Sequence, residues 1–286
     1  MGDTEPLLVQ PDWLEARLGD PDLRIIDATW YLPSAGRDAS AEYAAAHLPG
    51  AAYLDLSTDL ADPNANVRNT VASPAALARR FSQAGIGTDP RVVVYDRRGG
   101  YSAGRVWWTL RYAGHARAAL LDGGFTRWQR EGRPVSSELP EREPVRFEAR
   151  AEARWLARKD DLLRVLREGG SRIIDARSPE RFRGQGPEPA RHRGHIPGSG
   201  NVPYSENLNA DTDSFHALAR LQRIYQEAGV RFDEPVITSC GSGVTAALAA
   251  FTLSLLGHPE VAVYDGSWAE WGNCDDVPVE QGSPSM

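Results

Sequence analysis

Short β-branched runs alternate with stretches of helical character along this chain, and the alternation happens twice. A helix around Asp12 to Leu18 leads into Arg24-Ile-Ile-Asp-Ala28, a short strand. His47-Leu-Pro-Gly-Ala51 follows, then a helix from about Pro74 to Ala84 and the strand Val92 to Tyr95. Ser102 to Ala113 reads as the next helix and Ala118 to Leu121 as the next strand, which ends in Asp122-Gly-Gly-Phe-Thr-Arg-Trp128.

The second half repeats this order. Arg172-Ile-Ile-Asp-Ala176 and His195-Ile-Pro-Gly-Ser199 match their first-half counterparts at an offset of 148 residues (24 to 172, 47 to 195). Gly257-His258 and Asp265-Gly-Ser-Trp-Ala-Glu-Trp271 match Gly114-His115 and Asp122 to Trp128 at an offset of 143. A period this long means a duplicated domain rather than a solenoid. Strands alternating with helices predict a parallel sheet with right-handed crossovers in each half. The expected architecture is therefore two tandem α/β domains, 1–132 and 155–286. Gly132 to Arg154, with its prolines, glycines and many charges, reads as the linker (133–154).

One stretch has no counterpart in the first half. Val236 to Ser239 is a β-branched run introduced by Pro235, and Thr245 onward is an Ala- and Leu-rich helix closed by Gly257. Between them lies Cys240-Gly-Ser-Gly-Val-Thr245. A glycine-bearing loop can curl until its N–H groups point inward, and those donors join the positive end of the helix in favouring negative charge at the sulfur. A cysteine so placed is expected to react as thiolate. The plainer reading is a small buried hydrophobe before an ordinary strand-to-helix turn. Tyr95-Asp96 stands where Ser239-Cys240 stands, 144 residues earlier, and an aspartate is no sulfur nucleophile. The second half is thus expected to carry the chemistry, and the first to be an inactive copy.

At 286 residues, two domains are the natural prior, and 41% hydrophobic content suits globular cores. A net charge of −7 argues against a nucleic-acid partner. No apolar run approaches membrane-spanning length, and Met1-Gly-Asp-Thr-Glu-Pro6 lacks the features of a signal peptide. Two cysteines make no disulfide framework, so a cytoplasmic, reducing setting is expected. No Cys/His cluster has metal-ligand spacing, and no cofactor is expected. Lys159 is the sole lysine, so any anion site must be built from arginine or backbone.

The duplicated Asp-Ala-Thr and Asp-Ala-Arg strands, the His-x-Pro-Gly motifs and the second-half loop together resemble the tandem-domain rhodanese sulfurtransferases, from about Val9 to Trp271. The loop Cys240-Gly-Ser-Gly-Val-Thr-Ala246, with Trp30-Tyr-Leu-Pro33 and Val106-Trp-Trp108, is similar to the 3-mercaptopyruvate branch. Thiosulfate-preferring relatives typically carry Arg-Lys where this chain has Gly241-Ser242. The resemblance implies double displacement. Cys240 takes the donor's sulfur as a persulfide, pyruvate leaves, and a thiol, thioredoxin or cyanide takes the outer sulfur. The loop, with Gly241, Gly243, Val244 and Thr245, would hold the anionic sulfur. Arg181 and Arg191 would clamp the donor's carboxylate, the spacing to Arg191 being one residue longer than in relatives. Arg183 and Arg193 read as surface, and the plain reading of the whole run is a solvated charged loop. A monomer is expected.

Ser242 matches a serine that animal relatives are proposed to couple to a histidine and an aspartate. The histidine is absent here: none of the six lies between Tyr53 and Gly114, although the relay position falls within Asn66 to Ala72. The aspartate would fall near Ser57, with Asp55 close by. Ser242 is then expected only to hydrogen-bond the donor's oxygen, with water protonating the enolate. His47, His195, Asp27 and Asp175 occur in both halves, which points to structural roles. Acidic neighbours of Cys274 are expected to disfavour its thiolate, and it reads as incidental. A cysteine phosphatase is disfavoured because Ala246 stands where an arginine would bind phosphoryl oxygens. The remaining alternatives are a thiosulfate sulfurtransferase and a non-enzymatic binding module.

Overall fold

The structure is a computed structural model describing residues 6–283. It divides into two compact units, each holding one five-stranded sheet. In the first unit the strands are β1 (Leu8–Val9), β2 (Leu23–Asp27), β3 (Ala52–Tyr53), β4 (Arg91–Tyr95) and β5 (Ala118–Leu121), in the order β1-β5-β4-β2-β3. Its helices are α1 (Pro11–Glu15), α2 (Ala39–Ala45), α3 (Pro74–Gln83), α4 (Ala103–Tyr112) and α5 (Gly124–Arg130). In the second unit β6 (Leu156–Ala157), β7 (Arg172–Asp175), β8 (Gly200–Asn201), β9 (Val236–Ser239) and β10 (Val261–Tyr264) repeat the topology as β6-β10-β9-β7-β8. Its helices are α6 (Lys159–Glu168), α7 (Pro179–Phe182), α8 (Leu218–Glu227), α9 (Val244–Leu255) and α10 (Ser267–Trp271). Every strand pairing in both sheets is parallel.

The central strands β4 and β9 are buried along their whole length, as a strand covered by helices on both faces must be. Their covering helices follow suit. Val244 to Leu253 of α9 is buried without a break, so its residues are small and apolar all round rather than amphipathic. The repeat extends to register: Asp27 pairs with Tyr95 and Asp175 with Ser239 at the strand ends, and Ala28 and Ala176 each donate an N–H back across at 2.8 Å.

The sequence boundaries need correcting in two respects. Residues 133–152, expected as a linker, are laced to the first unit. His47 and Ser136 form an antiparallel bridge, Arg150 N–H donates to the Ala113 carbonyl at 2.9 Å, and Glu152 N–H to Tyr112 at 2.8 Å. Phe147 is buried with its ring 5.0 Å from Phe81. Prolines stop helices and strands here, but they leave enough N–H groups and apolar side chains to bind the stretch down. The second correction is an exchange. Asn64–Val71 belongs to the second unit, and Leu208–Phe215 to the first. Val71 N–H donates to the Asp265 carboxylate at 2.7 Å, and Phe215 N–H to the Asp122 carboxylate at 2.8 Å. The two acceptors are the aspartates of the repeated Asp-Gly motif. Each unit thus receives a strap from the other half of the chain.

Candidate active site

Cys240 follows the last residue of the central strand β9, at the carboxyl end of the sheet where open α/β folds bind ligands. Its side chain is 2% exposed. Gly243 takes the left-handed φ of 77° that lets the chain turn from the loop into α9, and no side chain caps that helix. Gly241 and Ser242 are half-buried, while Gly243, Val244 and Thr245 are buried, the last two as the opening residues of α9. Thr238 Oγ1 ties strand to helix by donating to the Ala246 carbonyl at 2.9 Å.

The Cys240 backbone is held by the start of α10. Trp268 N–H donates to the Cys240 carbonyl at 2.9 Å, and Ala269 N–H to the Gly241 carbonyl at 2.8 Å. Cys240 N–H donates to Ser267 Oγ at 3.1 Å. The strand end is therefore pinned on three sides before any substrate arrives.

The first unit shows what such a loop binds. Asp96, at the position matching Cys240, is fully buried. Its carboxylate accepts the N–H groups of Arg98, Gly100, Ser102 and Ala103 at 2.7–2.9 Å, and the Ser102 hydroxyl at 3.1 Å. Four amides and a hydroxyl around one anion make a nest. The first unit fills its nest with its own carboxylate.

Arg181 reaches the loop in the second unit. A Cβ placed on Gly241 would lie 3.0 Å from Arg181 Nη2 and 3.3 Å from Nη1, so the guanidinium rests against the Gly241 backbone. Glu188 holds it through Nε at 3.0 Å and Nη2 at 2.9 Å. Glu188 in turn accepts from Arg177 Nη1 at 3.0 Å, and Arg177 Nη2 donates to Asp175 at 2.6 Å. Arg177 also stacks over Trp268, 4.3 Å from the ring centre. Asp175, Arg177 and Glu188 are almost wholly buried, which makes the network a rigid mount for Arg181. In the first unit Thr29 replaces Arg177, and its N–H meets Asp27 at 2.9 Å. Burial there pushes the Asp27 carboxyl above its ordinary range.

Arg191 is placed differently. Its Nη1 donates to Asp275 at 3.1 Å, Nη2 binds the Asn273 carbonyl, and the side chain is 61% exposed. Asp275 and Asn273 occupy the guanidinium there, away from the contacts that bring Arg181 to Gly241. Arg183 and Arg193 are exposed.

Ser242 Oγ faces the Asn69 amide at 3.5 Å, at the long end for a hydrogen bond. Asn69 is 4% exposed and left-handed, with φ 65°, and it arrives on the exchanged strap within the stretch that lacks a histidine. Asp55, the other residue near the relay position, spends its carboxylate on the N–H groups of Ser57 and Thr58. His47 and His195 are fully buried and bonded through Nδ1 to the Tyr43 and Phe182 carbonyls. Cys274 meets Lys159 Nζ at 3.8 Å, and the same ammonium lies 3.5 Å from the Asp276 carboxylate, so a cation joins the acidic neighbours the sequence shows.

The Rhodanese-like domain family matches residues 10–131 and 158–274, covering both units. This chain belongs to the rhodanese family. Rat 3-mercaptopyruvate sulfurtransferase is 38% identical over 272 residues, covering 92% of this rhodanese and 91% of the relative. Chinese hamster (Cricetulus griseus) thiosulfate sulfurtransferase is also 38% identical, over 92% and 91% of the two chains. The crystal structure of Escherichia coli SseA, described as a 3-mercaptopyruvate enzyme of rhodanese fold, superposes with a TM-score of 0.84 at 34% identity. It covers 92% of this rhodanese and 99% of that chain. The sequence of this rhodanese offers Arg177 only as the head of the charged stretch and gives no role to Glu188, Asn69 or Ser267. Glu188 lay in plain view as the one acid between Arg181 and Arg191.

Proposed function

We propose that this rhodanese moves sulfur from 3-mercaptopyruvate to a thiol or cyanide acceptor through a Cys240 persulfide. The Cys240 thiolate attacks the donor's sulfur, and the donor's C–S bond breaks with its electron pair going to carbon. The resulting enolate takes a proton and leaves as pyruvate. An acceptor thiolate or cyanide then attacks the outer sulfur, and Cys240 departs as thiolate. Dividing the transfer in this way is ordinary covalent catalysis. The loop of Gly241, Gly243, Val244 and Thr245 takes the anionic sulfur, as the nest around Asp96 takes a carboxylate.

The observation that carries the donor assignment is the Arg181 guanidinium against Gly241. It offers a planar fork to the donor's carboxylate, with Nη1 outside the Glu188 pair. A side chain at 241 would press on this guanidinium, and a cationic one would also meet its charge. The mount is charge-balanced, Arg177 and Arg181 against Asp175 and Glu188. A singly charged carboxylate suits this site better than doubly charged thiosulfate, which would enter without full compensation. The names of the rat and E. coli relatives support the same reading. Ser242 holds the donor's carbonyl or enolate oxygen. Its Asn69 partner can steady a hydroxyl but cannot relay a proton, so water protonates the enolate.

A small thiol or a thioredoxin-type dithiol suits the acceptor role. Both cysteines are free, which fits a reducing compartment. Among the described residues no helix is long and apolar enough to cross a membrane.

Steady-state assays with cyanide as acceptor test the donor. We expect kcat/KM for 3-mercaptopyruvate to exceed that for thiosulfate by about 100-fold, the effect of roughly 3 kcal/mol of uncompensated charge. Equal values, or a preference for thiosulfate, would show that charge balance at Gly241 does not set donor choice. In the same assay Arg181→Gln is expected to raise the KM for 3-mercaptopyruvate by ten- to a hundredfold, the loss of about 1.5–3 kcal/mol in hydrogen bonding to a charged group. The corresponding Arg191→Gln change is expected to have little effect, since Asp275 and Asn273 hold that side chain.

A further inference from the structure

Ser267 is one of three non-glycine residues with a left-handed backbone among the described residues, at φ 48°. It is fully buried, so neither solvent nor a flexible loop explains the conformation. A side chain at such an angle is disfavoured, and positions that keep one tend to cluster at functional sites. The repeat provides the control. Gly124 occupies the matching place in the first unit, also left-handed at φ 54°, and a Cβ there would lie 2.2 Å from the Asp96 carbonyl. Where the loop has no nucleophile, the position is glycine. Where it has one, the position is serine.

The hydroxyl is fully engaged. Ser267 Oγ accepts the Cys240 N–H at 3.1 Å and donates to the Tyr264 carbonyl at 2.8 Å, with Cys240 Sγ 4.0 Å away. The other two pins on the loop are carbonyls held by backbone N–H groups. The first of them has a counterpart in Phe125 N–H to the Asp96 carbonyl at 2.8 Å. The bond to the Cys240 N–H can have no such counterpart, because glycine has no hydroxyl to offer.

We propose that Ser267 is a positioning residue for Cys240. By fixing the nucleophile's N–H against the end of β10, it sets the direction of the Cα–Cβ bond and so aims the sulfur. The inference rests on the assignment of Cys240 as nucleophile but not on the identity of the donor. The strained backbone is kept because only a side chain can make this bond.

Two variants separate this role from a structural one. Ser267→Gly relieves the strain and removes the hydroxyl, while Ser267→Ala keeps the strain and removes the hydroxyl. We expect Ser267→Gly to unfold at the same temperature as the parent or higher. Both variants should lose on the order of tenfold in kcat with little change in donor KM, as expected for an interaction that orients the reacting atom. Alkylation of Cys240 by iodoacetamide, followed by peptide mass analysis across pH, is expected to slow in both. That readout needs no donor, so it stands even if the donor assignment fails. Unchanged kcat and alkylation in Ser267→Gly would overturn the proposal. So would a loss confined to Ser267→Ala, which would assign the effect to strain instead of the hydroxyl.

Discussion

Replacing Cys240 with alanine is expected to lower sulfur transfer to the background reaction between donor and acceptor. The loss should be on the order of 10⁴-fold or more in kcat, as when the nucleophile of a covalent mechanism is removed. Nothing else in the site can accept sulfur: Ser242 is an alcohol, and Arg181 is a cation held by Glu188. The fold should survive. The three pins on this stretch engage backbone atoms of Cys240 and Gly241, and alanine keeps all of them. A change of about 1 kcal/mol in stability is expected for the small side chain lost. Two measurements check this together: pyruvate release under steady state, and intact mass after one round with donor alone. The parent should gain one sulfur atom and Cys240→Ala none. Turnover in the variant near the parent's level would mean that another sulfur carries the reaction.

Asp96→Ala should show the opposite profile, a large loss of stability with chemistry retained in the folded fraction. The carboxylate accepts the Arg98, Gly100, Ser102 and Ala103 N–H groups together. Alanine leaves these donors buried without it, at about 1–3 kcal/mol for each that water cannot reach. Partial hydration should hold the total to roughly 3–5 kcal/mol, among the larger effects of single substitutions. Asp96→Asn should fall between, since one oxygen remains while the amide turns an N–H toward other donors. Urea denaturation of the three proteins measures the difference. A loss below about 1 kcal/mol would mean that the nest does not need its anion.

The legible part of this molecule was what repeats. Two copies of Arg-Ile-Ile-Asp-Ala and of the Asp-Gly turn located equivalent strands, and the one unmatched feature, Cys240, marked the site. Strand bounds such as Ala118–Leu121 and Val236–Ser239 could be read because buried parallel strands are continuous apolar runs. Less legible was anything that depends on a polar group finding a distant partner. Glu188 reads as one more charge in a charged loop until it is seen gripping both Arg177 and Arg181. Ser267 reads as an ordinary helix-opening serine, because its left-handed φ and its bond to Cys240 leave no mark in the sequence. Asn69 sits where a relay histidine would fall, and an isolated asparagine in a polar stretch carries no mark of a partner such as Ser242. The exchanged straps are short polar stretches joined through scattered polar contacts such as the two backbone-to-carboxylate bonds, and such bonds have no hydrophobic period to betray them.

Synthesis of this chain must run ahead of its folding. When Glu152 has been made, the first unit still lacks residues 208–215, and Asp122 has yet to meet the Phe215 N–H. The intervening 63 residues take about 3–13 seconds at ribosomal rates of roughly 5–20 residues per second. Asn64–Val71 emerges early and waits longer, until Asp265 is added. The usual order, in which the N-terminal domain completes itself and the next follows, is closed to this protein. The first unit cannot be complete before Phe215 has been made, nor the second before Asp265 has, so the Asp122 carboxylate and the Val71 N–H each wait on the ribosome for a partner supplied by the other half of the chain.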